Sequence, residues 1–86
     1  MYIHVSNISV NVIDADLQKL FAAYGEVYSI VILRDKLNGR SKGTAMIDML
    51  NARQGWQAIQ CLDGTIIDGQ PITVTEIKYS IRNNKN

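Results

Sequence analysis

The sequence is poor in the residues that build covalent or metal-held scaffolds. One cysteine, Cys61, excludes an internal disulfide, and no CxxC pair is present. His4 is the single histidine, so a zinc site of the usual His and Cys ligands is excluded as well. Long apolar stretches are missing: the longest aliphatic run is Ile30 to Leu33, far short of the roughly 20 residues that cross a bilayer. The first twenty residues hold Asp14 and Asp16 and lack a basic start, so no secretory leader is expected. Catalytic patterns are lacking too. There is no Gly-rich phosphate loop, no Ser/His/Asp set and no carboxylate pair at catalytic spacing, and His4 has no partner acid within a motif. These absences predict a protein that is not an enzyme, holds no metal and no cofactor, and works in a reducing, cytoplasmic compartment.

What is present fits one small folded domain. The chain has 86 residues, of which 47% are hydrophobic, too apolar for a disordered chain and enough for one modest core. The net charge of +1 conceals a polarised distribution. Arg34 to Lys42 sums to +3, Lys78 to Asn86 sums to +3, and the remainder sums to −5. One inner segment and the C-terminal end are therefore basic, and the rest is acidic. The plain alternative is that loops and tails collect lysine and arginine for solubility.

Periodicity divides the chain into six main elements. Tyr2 to Ser6 alternates as a strand, with Ile3 and Val5 on one face and Tyr2 and His4 on the other. After a connection over 7–13, Leu17, Leu20, Phe21 and Tyr24 recur at helical spacing. Asn11 or Asp14 is the expected cap, and Gly25 the expected left-handed terminator. Glu26 to Leu33 and Thr44 to Leu50 read as two strands joined through a basic turn containing Asn38-Gly39. Asn51 caps a second helix whose stripe is Ala52, Gly55, Ala58, Ile59 and Leu62. Thr65 to Asp68 is a short extended stretch before an Asp68-Gly69 turn, and Ile72 to Thr75, entered by Pro71, is the last strand. The order βαββαβ predicts an α+β, ferredoxin-like fold: a four-stranded antiparallel sheet with two helices on one face. That fold hosts many functions and does not choose among them.

Several segments carry a family resemblance, covering about residues 2–79. The hexamer Ile3-His4-Val5-Ser6-Asn7-Ile8 and the octamer Lys42-Gly43-Thr44-Ala45-Met46-Ile47-Asp48-Met49 resemble the two signature strands of the RNA recognition motif. Leu17 to Phe21, Gly25-Glu26-Val27, Ala58-Ile59, Leu62-Asp63-Gly64 and Gly69 to Val74 match in order and spacing. The chain resembles in particular the short single-domain RNA-binding proteins of bacteria. The resemblance implies a domain over 1–79 with a polar tail over 80–86, and a non-enzymatic role. Acylphosphatases share the fold but need an arginine in the loop after the first strand, and Ser6 to Ile13 has none.

The departures from the pattern weigh on function. In the family, outward-facing aromatics at the second hexamer position and the third and fifth octamer positions stack on bases. Here those positions are His4, Thr44 and Met46. Stacking contributes roughly 1–3 kcal/mol per base, so two missing rings remove roughly 2–6 kcal/mol of binding, or about 30- to 10⁴-fold. The resemblance implies single-stranded RNA as partner, bound with moderate to weak affinity. Tyr2, His4, Met46 and Tyr79 would cradle bases, with Val31 on the same RNA-binding face, and Thr44, Asp48, Thr73 and Thr75 would hydrogen-bond base edges or sugars. Arg34, Lys36, Arg40, Lys42 and Lys78 would hold phosphates. Ser29 and Leu33 share the outward face. Ile3, Val5, Val27, Ile30, Ile32, Ala45, Ile47, Met49, Ile72 and Val74 point to the helices. The alternative is a protein-binding or self-associating module that uses the aliphatic Val31/Met46 patch, or Trp56 as an exposed anchor. Trp56 could equally pack sideways beside Gly55, and Cys61 is expected to be partly buried.

Overall fold

A computed structural model of the chain describes residues 1–78. The elements run β1 (Tyr2–Ser6), α1 (Asp14–Ala22), β2 (Val27–Arg34), β3 (Ser41–Met49), α2 (Ala52–Leu62), β4 (Ile66–Ile67), β5 (Gln70–Pro71) and β6 (Thr73–Ile77). β2, β3, β1 and β6 form one antiparallel sheet in that spatial order, and β4 pairs with β5 as a separate small hairpin. This is the ferredoxin-like arrangement expected from the periodicity, with the last strand split from a small hairpin that precedes it.

Alternation sets the two faces of the sheet. Ile3, Val5, Ala45, Ile47, Met49 and Val74 are buried with Leu17 and Phe21 of α1 and Ala58, Ile59 and Leu62 of α2. Fully burying a side chain of this kind stabilises the fold by about 1.5–3 kcal/mol. Ile8 and Val12, from the connection after β1, and Ile72 complete the core. Val27 and Ile30 are half-buried against it. They lie three apart on one strand, which simple alternation forbids. The pairing Val27 with Met49, then Ser29 with Asp48, leaves Tyr28 as one extra residue, a β-bulge that resets the phase.

Several local features differ from expectation. Ile13 caps α1, and the Asp16 carboxylate accepts its backbone N–H at 3.0 Å. Asn11 is not the cap because its side chain turns to Asp68 instead. Gly25 is not left-handed. Its missing Cβ makes room for the Gln54 side chain of α2, so it permits close approach of the helix ends. Asn51 does cap α2, its Oδ1 accepting the Gln54 N–H at 2.9 Å. Ala52 and Cys61 are exposed; the buried stripe of α2 is Gly55, Ala58, Ile59 and Leu62. The Tyr24 hydroxyl meets Cys61, and that contact pushes the phenol pKa up. β3 begins at Ser41, not Thr44, and β6 runs on to Ile77. Asp68 and Gly69 both have positive φ, 52° and 80°, which is the turn that lets two strands reverse in two residues.

Candidate nucleic-acid interface

Among the described residues no helix covers the outer face of the sheet: the buried residues of both helices belong to the single core on the opposite side. Cross-strand pairing arranges the outer face in rows. Val31 pairs with Met46, Met46 with His4, and His4 with Thr75. Beside that row, Ser29 pairs with Asp48, Asp48 with Tyr2, and Tyr2 with Ile77. Directly paired residues share a face, so expected site residues from all four strands lie in two adjacent lines. At about 4.8 Å per strand, each line spans roughly 14 Å.

The first row is the more apolar. Val31 is 52% exposed and Met46 41% exposed, with the half-buried His4 ring beside them. Thr73 and Thr75 are exposed and Thr44 is half-buried. Tyr2 is 42% exposed. Asp48 is half-buried, and its Oδ1 lies 3.5 Å from the Met1 ammonium, which also donates to the Met49 carbonyl at 2.8 Å.

The cations lie at one rim. Arg34 closes β2, Lys42 is the second residue of β3, and Lys36 and Arg40 stand on the turn between them; all four are exposed. Asp35, the single acid of the segment, is occupied with the turn itself: its Oδ1 accepts from the N–H groups of Leu37 at 2.8 Å and Asn38 at 3.3 Å. Among the described residues the only ion pair is that of Met1 with Asp48, so the hairpin cations are not neutralised there. The Arg34 guanidinium reaches only the Gly39 carbonyl, at 3.5 Å. Lys78 is exposed at the end of the described chain, and Tyr79 lies outside the described residues.

Gly43 explains the shape of this rim. Between the pairs Ile32–Ala45 and Arg34–Ser41, β3 carries two more residues than β2. The excess is absorbed near Gly43, whose φ of +80° favours glycine strongly. A Cβ there would also sit 3.3 Å from the Ile8 carbonyl oxygen, and Ile8 N–H donates to the Gly43 carbonyl at 3.0 Å. The Lys-Gly opening of the octamer therefore combines an exposed cation with a bulge that seats the connection after β1.

Residues 3–73 match the RNA recognition motif family. The chain belongs to that family. It is 38% identical over 78 residues to the protein RbpD of a Nostoc strain, covering 91% of this chain and 83% of the relative. The crystal structure of an RNA binding protein called PG1 superposes with a TM-score of 0.87 at 31% identity, covering 90% of this chain and 93% of that one. A Sex-lethal protein solved in complex with RNA superposes with a TM-score of 0.83 at 32% identity, covering 88% of this chain and 47% of that one. The chain spans about a quarter of the length of several other curated relatives.

Sequence reasoning missed three residues near this face. Ile77 pairs with Tyr2, and Ser6 pairs with Thr73. Continuing the alternation Thr73, Thr75, Ile77 would have found the first. Tyr28 is 70% exposed at the bulge in β2, and nothing in the local pattern marks it. Trp56 is 46% exposed on α2. It lines a shallow groove at the sheet edge with Met1, Tyr2 and Ile77, away from the Val31/Met46 row. Among the described residues no helix is long and apolar enough to cross a membrane, and no cluster of His, Cys, Asp or Glu could hold a metal ion.

Proposed function

We propose that this protein binds single-stranded RNA across the open face of its sheet, with moderate to weak affinity and without catalysis. The observation that carries this reading is the paired row Val31, Met46, His4 and Thr75 across the four main strands, with four exposed cations at the β2–β3 end of the sheet. Bases would lie on His4, Met46, Val31 and Tyr2; Tyr79, the remaining ring of the expected set, lies outside the described residues. Thr44, Thr73, Thr75 and Asp48 supply hydrogen bonds that discriminate base edges and sugars. Arg34, Lys36, Arg40, Lys42 and Lys78 hold phosphates, which adds affinity and salt dependence but no sequence information. On this reading residues 1–79 form the binding domain and 80–86 a polar extension. The exposed Cys61 thiol fits a reducing, cytoplasmic setting.

The test is a titration with short single-stranded RNAs at low salt, followed by backbone amide shifts. The expected result is a set of shifts at His4, Thr44, Met46 and Thr75 and along Arg34 to Lys42. Absence of shifts with every RNA, or shifts confined to α1 and α2, would overturn the reading.

A further inference from the structure

We propose that Met46 is an oxidation site through which peroxide weakens nucleic-acid binding at the sheet face, an inference that rests on the function proposed above. The three methionines sit in very different surroundings. Met49 is fully buried in the core. Met1 is half-buried, with its sulfur packed against Gly55 of α2. Met46 is 41% exposed in the middle of the outer face, flanked by Val31 on one side and His4 on the other. An attacking peroxide reaches the Met46 sulfur without any opening of the fold, whereas Met49 is reached only when the core opens.

The chemistry is a two-electron oxygen transfer with a hydroperoxide as oxidant. A sulfur lone pair attacks the outer peroxide oxygen, an S–O bond forms as the O–O bond breaks, and the leaving oxygen takes a proton. With hydrogen peroxide the products are methionine sulfoxide and water. The step is undone by thiol-dependent sulfoxide reductases, which return the oxygen as water and convert two thiols to a disulfide.

The position makes the change consequential. Met46 stands where the row would meet a base, and a thioether contact with a ring contributes through its polarizable, apolar sulfur. The sulfoxide is polar, chiral and hydrated, and it must be desolvated before a base can lie on it. Loss of such a contact weakens affinity about 2- to 10-fold. The same oxygen on a surface methionine outside the binding face would leave affinity unchanged.

The experiment uses the whole chain carrying Cys61→Ser, which removes the exposed thiol as a competing target. RNA affinity is measured before peroxide, after graded peroxide and after methionine sulfoxide reductases, with peptide mass mapping of each sample. The expected result is that Met46 gains oxygen before Met1 and Met49, affinity falls about 2- to 10-fold as it does, and the reductases restore it. A Met46→Leu variant, at whatever affinity leucine sets, should then be unmoved by the same peroxide dose. Oxidation of Met49 or Met1 ahead of Met46, unchanged affinity of the Met46-oxidised protein, or equal sensitivity of Met46→Leu would each overturn the proposal. Absence of RNA binding before any peroxide is added would instead overturn the underlying function. The mass map is read independently of binding.

Discussion

Thr44 and Met46 hold outward positions where the RNA recognition motif commonly presents rings, and both are backed by the core strand positions Ala45 and Ile47. A ring placed at position 44 would therefore stand on a rigid strand rather than on a loop. Thr44→Phe is expected to strengthen binding to short single-stranded RNA by about 1–3 kcal/mol, or about 5- to 150-fold, as measured by fluorescence anisotropy. An unchanged affinity would mean that RNA does not cross the face at this strand. Gly43, one residue earlier, has little such freedom. Its positive φ and its approach to the Ile8 backbone leave little room for a side chain.

At the scale of elements, the hairpin of β2 and β3 separates its two jobs along its length. Its middle contributes Val31 and Met46 to the face, and its end contributes Arg34, Lys36, Arg40 and Lys42. Phosphate contacts release counterions, so each one adds to the dependence of affinity on salt. Lys42→Ala combined with Arg40→Ala is expected to weaken binding to all sequences alike. It should also reduce the slope of log affinity against log salt by about 1.4, at about 0.7 per single-strand phosphate contact. Titrations at several ionic strengths read that slope directly, and an unaltered slope would remove these two cations from the interface.

At the scale of the whole molecule, the small hairpin of β4 and β5 is tied to the connection after β1. The Ser9 hydroxyl and the Asn11 amide both donate to the Asp68 carboxylate, the latter at 3.0 Å. Asn7 donates to the Pro71 carbonyl at 2.8 Å, and Gln70 donates back to the Asn7 carbonyl at 3.1 Å. The bonds from Ser9 first, and from Asn11 second, hold the Asp68 carboxyl below its ordinary value of 3.8. Its folded-state pKa is thus lower than in the unfolded chain. The stabilisation is fully present above the ordinary carboxylate range and is lost as pH falls through the lowered folded value. Asp68→Asn keeps a residue that tolerates the left-handed turn, and it should flatten this acid limb when urea midpoints are compared across pH. An acid limb identical to that of the parent would assign the pH dependence to other carboxylates.

The sequence by itself determined the fold class, the order of the strands along the chain and most of the two faces of the sheet. Alternation and helical spacing report burial directly, so Ile3, Val5, Ala45, Ile47 and Val74 were legible as core and His4, Met46 and Thr75 as one outward set. The polarised charge was legible for the same reason, since the basic turn is contiguous in sequence. Tertiary structure alone decided what depends on distant partners. Asn11 is drawn from capping α1 to Asp68, 57 residues away. Gly25 is set by the approach of Gln54, not by helix termination. The bulge at Tyr28 follows from fitting β2 to both Met49 and Asp48. Each of these is a compromise between a local preference and a long-range contact, and a local pattern carries only the first of the two.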